Sequence, residues 1–260
     1  MSSAPVLVER SGFVTRITIN RPASRNSLNK ETIKSLTKTF STVSTCTDTR
    51  VVVLTGSGTE AFCAGADLTE LTASSSPDSR REFFGSIATL VESIGRCPMP
   101  VIAKVYGFAL AGGCGLVAAA DIAVAADDAL FGLPEVGIGL APMVVMAPLL
   151  RTIGFRAVSA LALTGERISA AEALRIGLLS KTLPKEKLDA AVNELCTTIA
   201  SSGPEAVRAT KRALADLAEC GSLTFMGELA DRSALVSLSP EAVEGISAFR
   251  EKRSAKWKLP

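Results

Sequence analysis

Histidine is absent from the 260 residues of this chain. That removes Ser-His-Asp and Cys-His catalysis, His-ligated metals and imidazole acid–base work together. Proton transfer must fall to Asp, Glu, Cys, Lys, Tyr or water. The six cysteines (Cys46, Cys63, Cys97, Cys114, Cys196, Cys220) form no C-x-x-C pair. This argues against a zinc knuckle or a thioredoxin motif, and no metal site is expected. Scattered on apolar runs, they read as reduced, buried thiols of an intracellular protein. Charge of one sign is also lacking: 28 Lys+Arg stand against 26 Asp+Glu, a net +2. There is no overall bias toward nucleic acid or an anionic membrane. The longest uncharged stretch, Val105–Ala120, has 16 residues and is rich in Gly and Ala, too short for a membrane span. Val6–Val8 already reads as a strand, with no basic and apolar regions of a secretory signal before it. The last residues, Lys258-Leu259-Pro260, are not a peroxisomal S-K-L. The expectation is a soluble cytoplasmic protein with neither membrane nor nucleic acid as partner.

What is present is a chain 47% apolar, ample for a sizeable core. Its length suits one large α/β domain, alone or with a helical extension. Residues 13–19 alternate as a half-buried strand does, and Arg21-Pro22 breaks it. The spacing of Ile33, Leu36, Phe40 and Val43 predicts a helix over 29–44, with Asn29 as N-cap. Three apolar strands each feed a Gly-containing turn: Val51–Leu54, Val101–Val105 and Ile122–Ala125. This suggests a repeated strand–turn–helix unit, with strands buried on both faces. Ala73–Asp78 reads as an exposed loop before an amphipathic helix over 80–95. After Pro148 the character turns helical, with segments 156–163, 169–176, 186–201, 204–219, 222–236 and 241–252. The layout is an α/β core over 1–195 and a helical region over 196–260.

Three segments could carry chemistry. Phe62-Cys63-Ala64-Gly65-Ala66-Asp67-Leu68 places small residues after a strand, where backbone N–H groups can approach a ligand. Ala111-Gly112-Gly113-Cys114-Gly115-Leu116 does the same after the second strand. Two such turns could aim two N–H donors at one point, the geometry of an oxyanion hole. The match of Gly113-x-Gly115-x-x-Ala118 to a dinucleotide fingerprint is rejected, because the following helix is too short for a crossover. The third segment, Phe131–Met143, holds Glu135, the only acid between Ala129 and Gly165. A carboxylate among apolar residues and glycines should have a raised pKa suited to proton transfer.

Taken together, these segments resemble the enoyl-CoA hydratase/isomerase family, also called the crotonase family. The likeness runs from Ile19-Asn20-Arg21-Pro22 and Asn26-Ser27-Leu28-Asn29 through Leu54-Thr55-Gly56, Phe62–Leu68, Pro100–Ala103, Gly112-Gly113-Cys114 and Phe131–Glu135. It continues in Leu163–Ala170 and Glu244–Arg253. The resemblance implies a spiral of ββα units with a C-terminal helical trimerisation region, and a homo-trimer or hexamer. It implies an acyl-CoA substrate, with coenzyme A as part of that substrate and no separate cofactor. By motif position, the N–H groups of Ala66 and Gly112 polarise the thioester carbonyl, with Gly113 beside them. Ala64, Asp67 and Leu68 lie where adenine and pantetheine are wrapped, and Arg25 near the CoA phosphates. Phe249 and Lys252 match residues that reach a CoA, often in a neighbouring subunit. Glu135 matches the catalytic acid.

One departure matters most. Two-acid hydratases of the family carry a second Glu where this chain has Gly115. The usual Gly-rich stretch further on is replaced by Leu140–Met146, which places Met143 in an apolar acyl pocket. Hydration of a 2-enoyl thioester needs a held and activated water; one carboxylate can instead carry a proton from C2 to C4. The favoured activity is therefore a 3-enoyl-CoA to 2-enoyl-CoA isomerase. The alternatives are a 2-enoyl-CoA hydratase of fatty acid or branched-chain acyl-CoA breakdown, and a non-catalytic acyl-CoA binder. Glu70, Glu82 and Glu92 are candidates for a substitute acid. Tyr106 and Trp257 read as packing residues, and the Lys30, Lys34, Lys38 stripe as a solvated face rather than an RNA contact.

Overall fold

The computed structural model describes residues 4–73, 76–220 and 226–258. Strands β1 (Val6–Ser11) and β2 (Val14–Ile19) pair antiparallel. Helix α1 (Lys30–Ser44) follows, capped by Asn29, whose Oδ1 accepts from the Thr32 N–H at 2.9 Å. The predicted stripe Ile33, Leu36, Phe40 and Val43 is buried.

A unit then repeats. Each copy sends one strand into a large sheet, a three-residue strand into a small sheet, and then a helix. The first copy is β3 (Val51–Gly56), β4 (Ala61–Cys63), α2 (Leu68–Thr72) and α3 (Pro77–Gly95). The second is β5 (Val101–Val105), β6 (Phe108–Leu110) and α4 (Gly112–Ala119). The third is β7 (Ile122–Ala126), β8 (Leu130–Gly132), a 3-10 turn over Pro134–Ile138, and α5 (Met143–Thr164). Strand β9 (Arg167–Ser169), α6 (Ala170–Arg175), β10 (Lys181–Leu183) and α7 (Lys185–Ala200) complete the α/β part. The large sheet runs β1-β2-β3-β5-β7-β10, parallel beyond the first hairpin; the small one runs β4-β6-β8-β9, parallel except for β8 with β9. This is the expected mixed α/β spiral of ββα units.

The all-apolar strands have a period-2 explanation. Val52, Leu54, Val101, Ala103, Val105, Ala123 and Ala125 face the core shared with α1, α3, α4 and α5. Val51, Val53, Ile102, Val124 and Ala126 face the other side, covered by Leu188, Val192, Cys196 and Ala200 of α7. With both faces buried, alternation disappears from the sequence. The boundary expected at 195 falls inside α7, which is part of the sheet's cover. The helices that stand apart from the sheet are α8 (Pro204–Cys220), α9 (Met226–Ser237) and α10 (Pro240–Arg250). Lys211 of α8 ties them to the core: its Nζ donates to the Asp121 carboxylate at 2.6 Å and to the Met99 carbonyl at 3.0 Å.

Two expectations differ from the structure. Pro77 and Asp78 belong to the first turn of α3, which Ser76 caps, rather than to a loop; Ser74 and Ser75 lie outside the described residues. Helix α5 begins at Met143, ahead of Pro148 rather than after it, and Gly154 (φ 74°, ψ 170°) divides it. The predicted helix over 156–163 is its second half. Proline inside a helix removes one ladder bond. Here Thr152 Oγ1 donates to the Pro148 carbonyl at 2.8 Å and sits 3.2 Å from the Ala118 carbonyl, tying α5 to the end of α4. α5 is long and apolar enough to cross a membrane by length alone, yet Val145, Pro148, Leu149, Val158, Leu161 and Ala162 are buried within this chain. The predicted 222–236 segment appears as α9 from Met226; residues 222–225 lie outside the described residues.

Candidate active site

The chain leaves β4 at Cys63 and turns through Ala64-Gly65-Ala66 into α2. Gly65 has φ 96°, a conformation that favours glycine. Leu28 clamps this turn: its N–H donates to the Gly65 carbonyl at 2.8 Å, and its carbonyl accepts from the Asp67 N–H at 3.0 Å. Ala66 lies between those two bonds. The second turn leaves β6 at Leu110. Ala111 donates to the Gly132 carbonyl at 2.9 Å and adopts φ 52°, ψ −123°, a strained state for an L-residue. Gly112 then opens α4, where the first N–H groups have no intrahelical acceptor.

The two turns touch. A Cβ added to Gly65 would lie 2.6 Å from the Ala111 Cβ and 3.1 Å from the Gly112 nitrogen. One added to Gly112 would lie 3.8 Å from the Ala66 nitrogen. Among the described residues, neither the Ala66 nor the Gly112 N–H has a backbone or side-chain acceptor. Gly113 serves close approach: a Cβ there would lie 2.9 Å from the Cys63 carbonyl carbon. Its lack of a side chain lets α4 settle onto β4.

Glu135 sits in the 3-10 turn after β8, whose end is closed by Gly139 at φ 74°. Its Oε2 is buried with no hydrogen-bond partner. Burial pushes the carboxyl above the ordinary range, partly offset by a hydrogen bond from its own N–H. Burial pushes the Cys114 thiol up to about 12, and the charge of Glu135 adds to it. Cys63 is likewise pushed up to about 12 by burial. Both thiols stay protonated and are poor nucleophiles.

Gly115 is three residues beyond Gly112, on the same face of α4. A Cβ there would overlap the Val145 side chain, 2.7 Å from its Cβ. No acid can extend from position 115 while α5 stays in place. The three candidate substitutes are engaged elsewhere. Glu70 accepts from the Lys30 N–H at 2.7 Å, Glu92 pairs with Arg96 at 2.9 Å, and Glu82 lines a groove between α1 and α3 with Lys30, Lys34 and Lys38.

The remaining expected site residues divide. Arg25 (φ 53°) accepts the Ala64 N–H on its carbonyl at 3.1 Å, so these two are adjacent; its guanidinium, largely exposed, is 3.5 Å from Glu60. Leu68 is exposed at the start of α2. The Asp67 carboxylate is turned inward: Oδ2 accepts from Arg21 at 2.9 Å and lies 3.4 Å from the Ser27 hydroxyl, while Oδ1 caps α2 through the Thr69 N–H at 3.1 Å. Burial alone would raise the Asp67 carboxyl, but the Arg21 bond and charge outweigh it and hold it below the ordinary range. Met143 is exposed on the first turn of α5. Phe249, 86% exposed, and Lys252 stand on or just after α10, which packs on α8 and α9. Two cavities, about 720 Å³ between α3, α5 and α8 and about 610 Å³ between α1 and α3, are lined by neither Ala66, Gly112 nor Glu135. Among the described residues no cluster could hold a metal. Tyr106 is buried in the α7-side core, and the Trp257 ring packs on Gly245.

Sequence reasoning missed Val145 and the brace behind the first turn. Asn26 is 1% exposed and donates to the Ala61 and Ser57 carbonyls at 2.7 and 3.0 Å, while accepting from the Arg21 N–H at 3.0 Å. Its position inside Asn26-Ser27-Leu28 was visible; its burial was not.

Comparison with known proteins bears on this arrangement. The model of the enoyl-CoA hydratase/isomerase family matches residues 9–260. The chain is 34% identical to a short-chain-enoyl-CoA hydratase of Clostridium acetobutylicum, over 95% of each protein. It is 34% identical to a crotonyl-CoA hydratase of Syntrophomonas wolfei, over 99% of each. The crystal structure of an enoyl-CoA hydratase from Mycobacterium smegmatis superposes with a TM-score of 0.95 at 33% identity, over 98% of this chain and 99% of that one. The chain belongs to the enoyl-CoA hydratase/isomerase family, as an enzyme acting on acyl-CoA.

Proposed function

We propose that this enzyme is a 3-enoyl-CoA to 2-enoyl-CoA isomerase working with one carboxylate. The observation that carries the reading is the pair Gly115 and Val145: the place of a second acid is filled by a valine side chain. The Ala66 and Gly112 N–H groups accept the thioester oxygen as it gains negative charge, where one donor is typically worth about 2.7–4 kcal/mol. Glu135 takes a proton from C2, the electrons pass into the thioester as a dienolate, and the same proton is returned to C4. The C2–H bond breaks, a C4–H bond forms, and the double bond moves from C3–C4 to C2–C3. Asp67 acts as a positioning residue through Arg21 and Leu28. Arg25, Ala64 and Leu68 line the CoA, and Met143 meets the acyl chain.

A second reading is 2-enoyl-CoA hydration, with Glu135 serving both proton transfers; the relatives named as hydratases favour it. The test is a paired assay of wild type and Glu135→Gln. Gain of conjugated thioester absorbance from a 3-enoyl-CoA, without its loss from a 2-enoyl-CoA, supports isomerisation. Rapid loss from the 2-enoyl substrate supports hydration, and tight CoA binding with neither reaction supports a binder.

The protein is further read as a cytoplasmic homo-trimer or hexamer held by its C-terminal helices. Exposed Leu214, Leu235, Ile246 and Phe249 on α8, α9 and α10, and Leu238 between α9 and α10, support this, with Phe249 and Lys252 then reaching a neighbouring subunit's CoA. Sedimentation of a chain carrying Leu235→Glu and Leu238→Glu tests it, with a monomer expected.

A further inference from the structure

We infer that Val145 is the specificity-determining residue that holds Glu135 to proton transfer and keeps water addition out. The inference rests on the single-carboxylate reading and deepens it. Val145 is on the first turn of α5 and 3% exposed. A Cβ on Gly115 would overlap its Cγ1 and lie 2.7 Å from its Cβ, and only 3.5 Å from its Cα. The obstruction is therefore the base of the Val145 side chain as well as its tip, while the Cα is in ordinary contact. α5 is held in that position: the Thr152 hydroxyl links it to the end of α4 through the Ala118 carbonyl at 3.2 Å, and the 3-10 turn bearing Glu135 packs on it.

This contact has a chemical consequence beyond the missing acid. A bound water needs about two to four polar partners. At this point the face of α4 offers only Gly115, and Val145 offers methyl groups. The Glu135 Oε2 is the one buried side-chain oxygen or nitrogen without a partner among the described residues. A water seated here would have the Glu135 carboxylate as its base, but the Val145 methyl groups fill the space and give it no partner, so the carboxylate is left to carry a proton between two carbons of the same substrate. Hydration adds the water oxygen to C3 and a proton to C2; isomerisation needs no second reactant. Methyl groups beside the reacting carbons thus select between the two.

The experiment measures both reactions on the same preparations, with a 3-enoyl-CoA and a 2-enoyl-CoA of equal chain length. The proteins are wild type, Val145→Ala, Gly115→Glu and the double variant, each also melted. Val145→Ala is expected to raise hydration relative to isomerisation about tenfold. Gly115→Glu alone is expected to melt lower and gain no hydration, because α5 must move. The double variant loses the Cγ1 overlap, so only the residue-145 Cβ, 2.7 Å from the new one, has to give way; α5 moves less than in Gly115→Glu alone, and hydration is expected to gain about 10²-fold, the lower end for a placed acid or base. A folded Val145→Ala protein whose ratio stays within about twofold of wild type overturns the inference, whether or not the double variant folds. So does Gly115→Glu gaining hydration with a wild-type melting temperature. A wild type that hydrates rapidly overturns the single-carboxylate reading itself, whereas a wild-type isomerase with an unmoved ratio in Val145→Ala overturns the role of Val145 alone.

Discussion

Gly65→Ala attacks the point where the two N–H-bearing turns meet. Gly65 holds φ 96°, and an L-residue forced into the left-handed half of conformational space costs roughly 1–2 kcal/mol. The new methyl would also lie 2.6 Å from the Ala111 Cβ and 3.1 Å from the Gly112 nitrogen, both on a turn already strained. Overpacking of that kind costs typically about 1–3 kcal/mol. The sum, roughly 2–5 kcal/mol, is a large share of the about 5–15 kcal/mol that stabilises a domain. Gly58→Ala is the internal control: Gly58 has φ 76° with nothing within 4 Å of its added Cβ, so it carries the conformational cost alone. Denaturant melts of both variants therefore isolate the contact between the turns. The methyl should also push Gly112 away from Ala66, and the loss of one oxyanion donor costs about 10²–10³ in kcat. Gly65→Ala should lose that much activity and Gly58→Ala almost none. If the two variants melt alike and turn over within about threefold of each other, the turns are not coupled as described.

Glu135→Gln should reduce turnover by about 10²–10⁴-fold while leaving CoA affinity within a few-fold, read by initial rates and calorimetry. Because burial raises its carboxyl above 4.5, the native state favours the protonated form; stability is highest below 4.5 and declines as pH rises through the window up to the folded value, a decline that Glu135→Gln removes in pH-dependent melts. Asp67 has the opposite sign: its folded pKa lies below 3.8, so its contribution is complete above 3.8 and disappears as pH falls below it. Arg21→Ala should raise the Asp67 carboxyl and cost less than the roughly 3–5 kcal/mol of a broken buried pair, since the Arg21 and Asp67 side chains keep 20% and 14% exposure; unchanged acid stability in that variant would count against the brace.

The long elements were legible because a single periodicity governs them. Asn29 and the stripe of α1 could be read directly, and so could the strands Val51–Leu54 and Val101–Val105. The three-residue strands β4, β6 and β8 could not, because three residues hold no period, and the pairing that defines them lies between units far apart in sequence. Their turns were visible as glycine clusters, but the strained position in them was not: Ala111 takes positive φ without being glycine. Glu135 stood out as a lone acid in an apolar stretch, and burial accounts for that. Val145 did not, since a valine in an apolar run carries no signal until its neighbour is known to be Gly115. The start of α5 ahead of Pro148 was hidden for a similar reason: proline argues against a helix locally, and the contacts that hold α5 in place, with α4 and the 3-10 turn, come from other elements.

A chain without histidine has no side chain whose ordinary pKa lies between pH 5 and 8. The structure answers this by moving a carboxylate. Among the described residues nothing but its own N–H hydrogen-bonds Glu135, so desolvation lifts its carboxyl above the ordinary range. Val145 against Gly115 denies that carboxylate a second acid on α4. A more basic carboxylate and a missing second acid are thus one feature: adding a polar partner at position 115 would supply the chemistry of hydration and, by hydrogen-bonding Glu135, change the basicity on which proton transfer from C2 depends. The acid limb of the rate profile should therefore move in the Gly115→Glu, Val145→Ala double variant while Val145→Ala alone leaves it nearly in place. A limb that stays fixed in the double variant, despite a gain in hydration, would mean that the two properties are set separately.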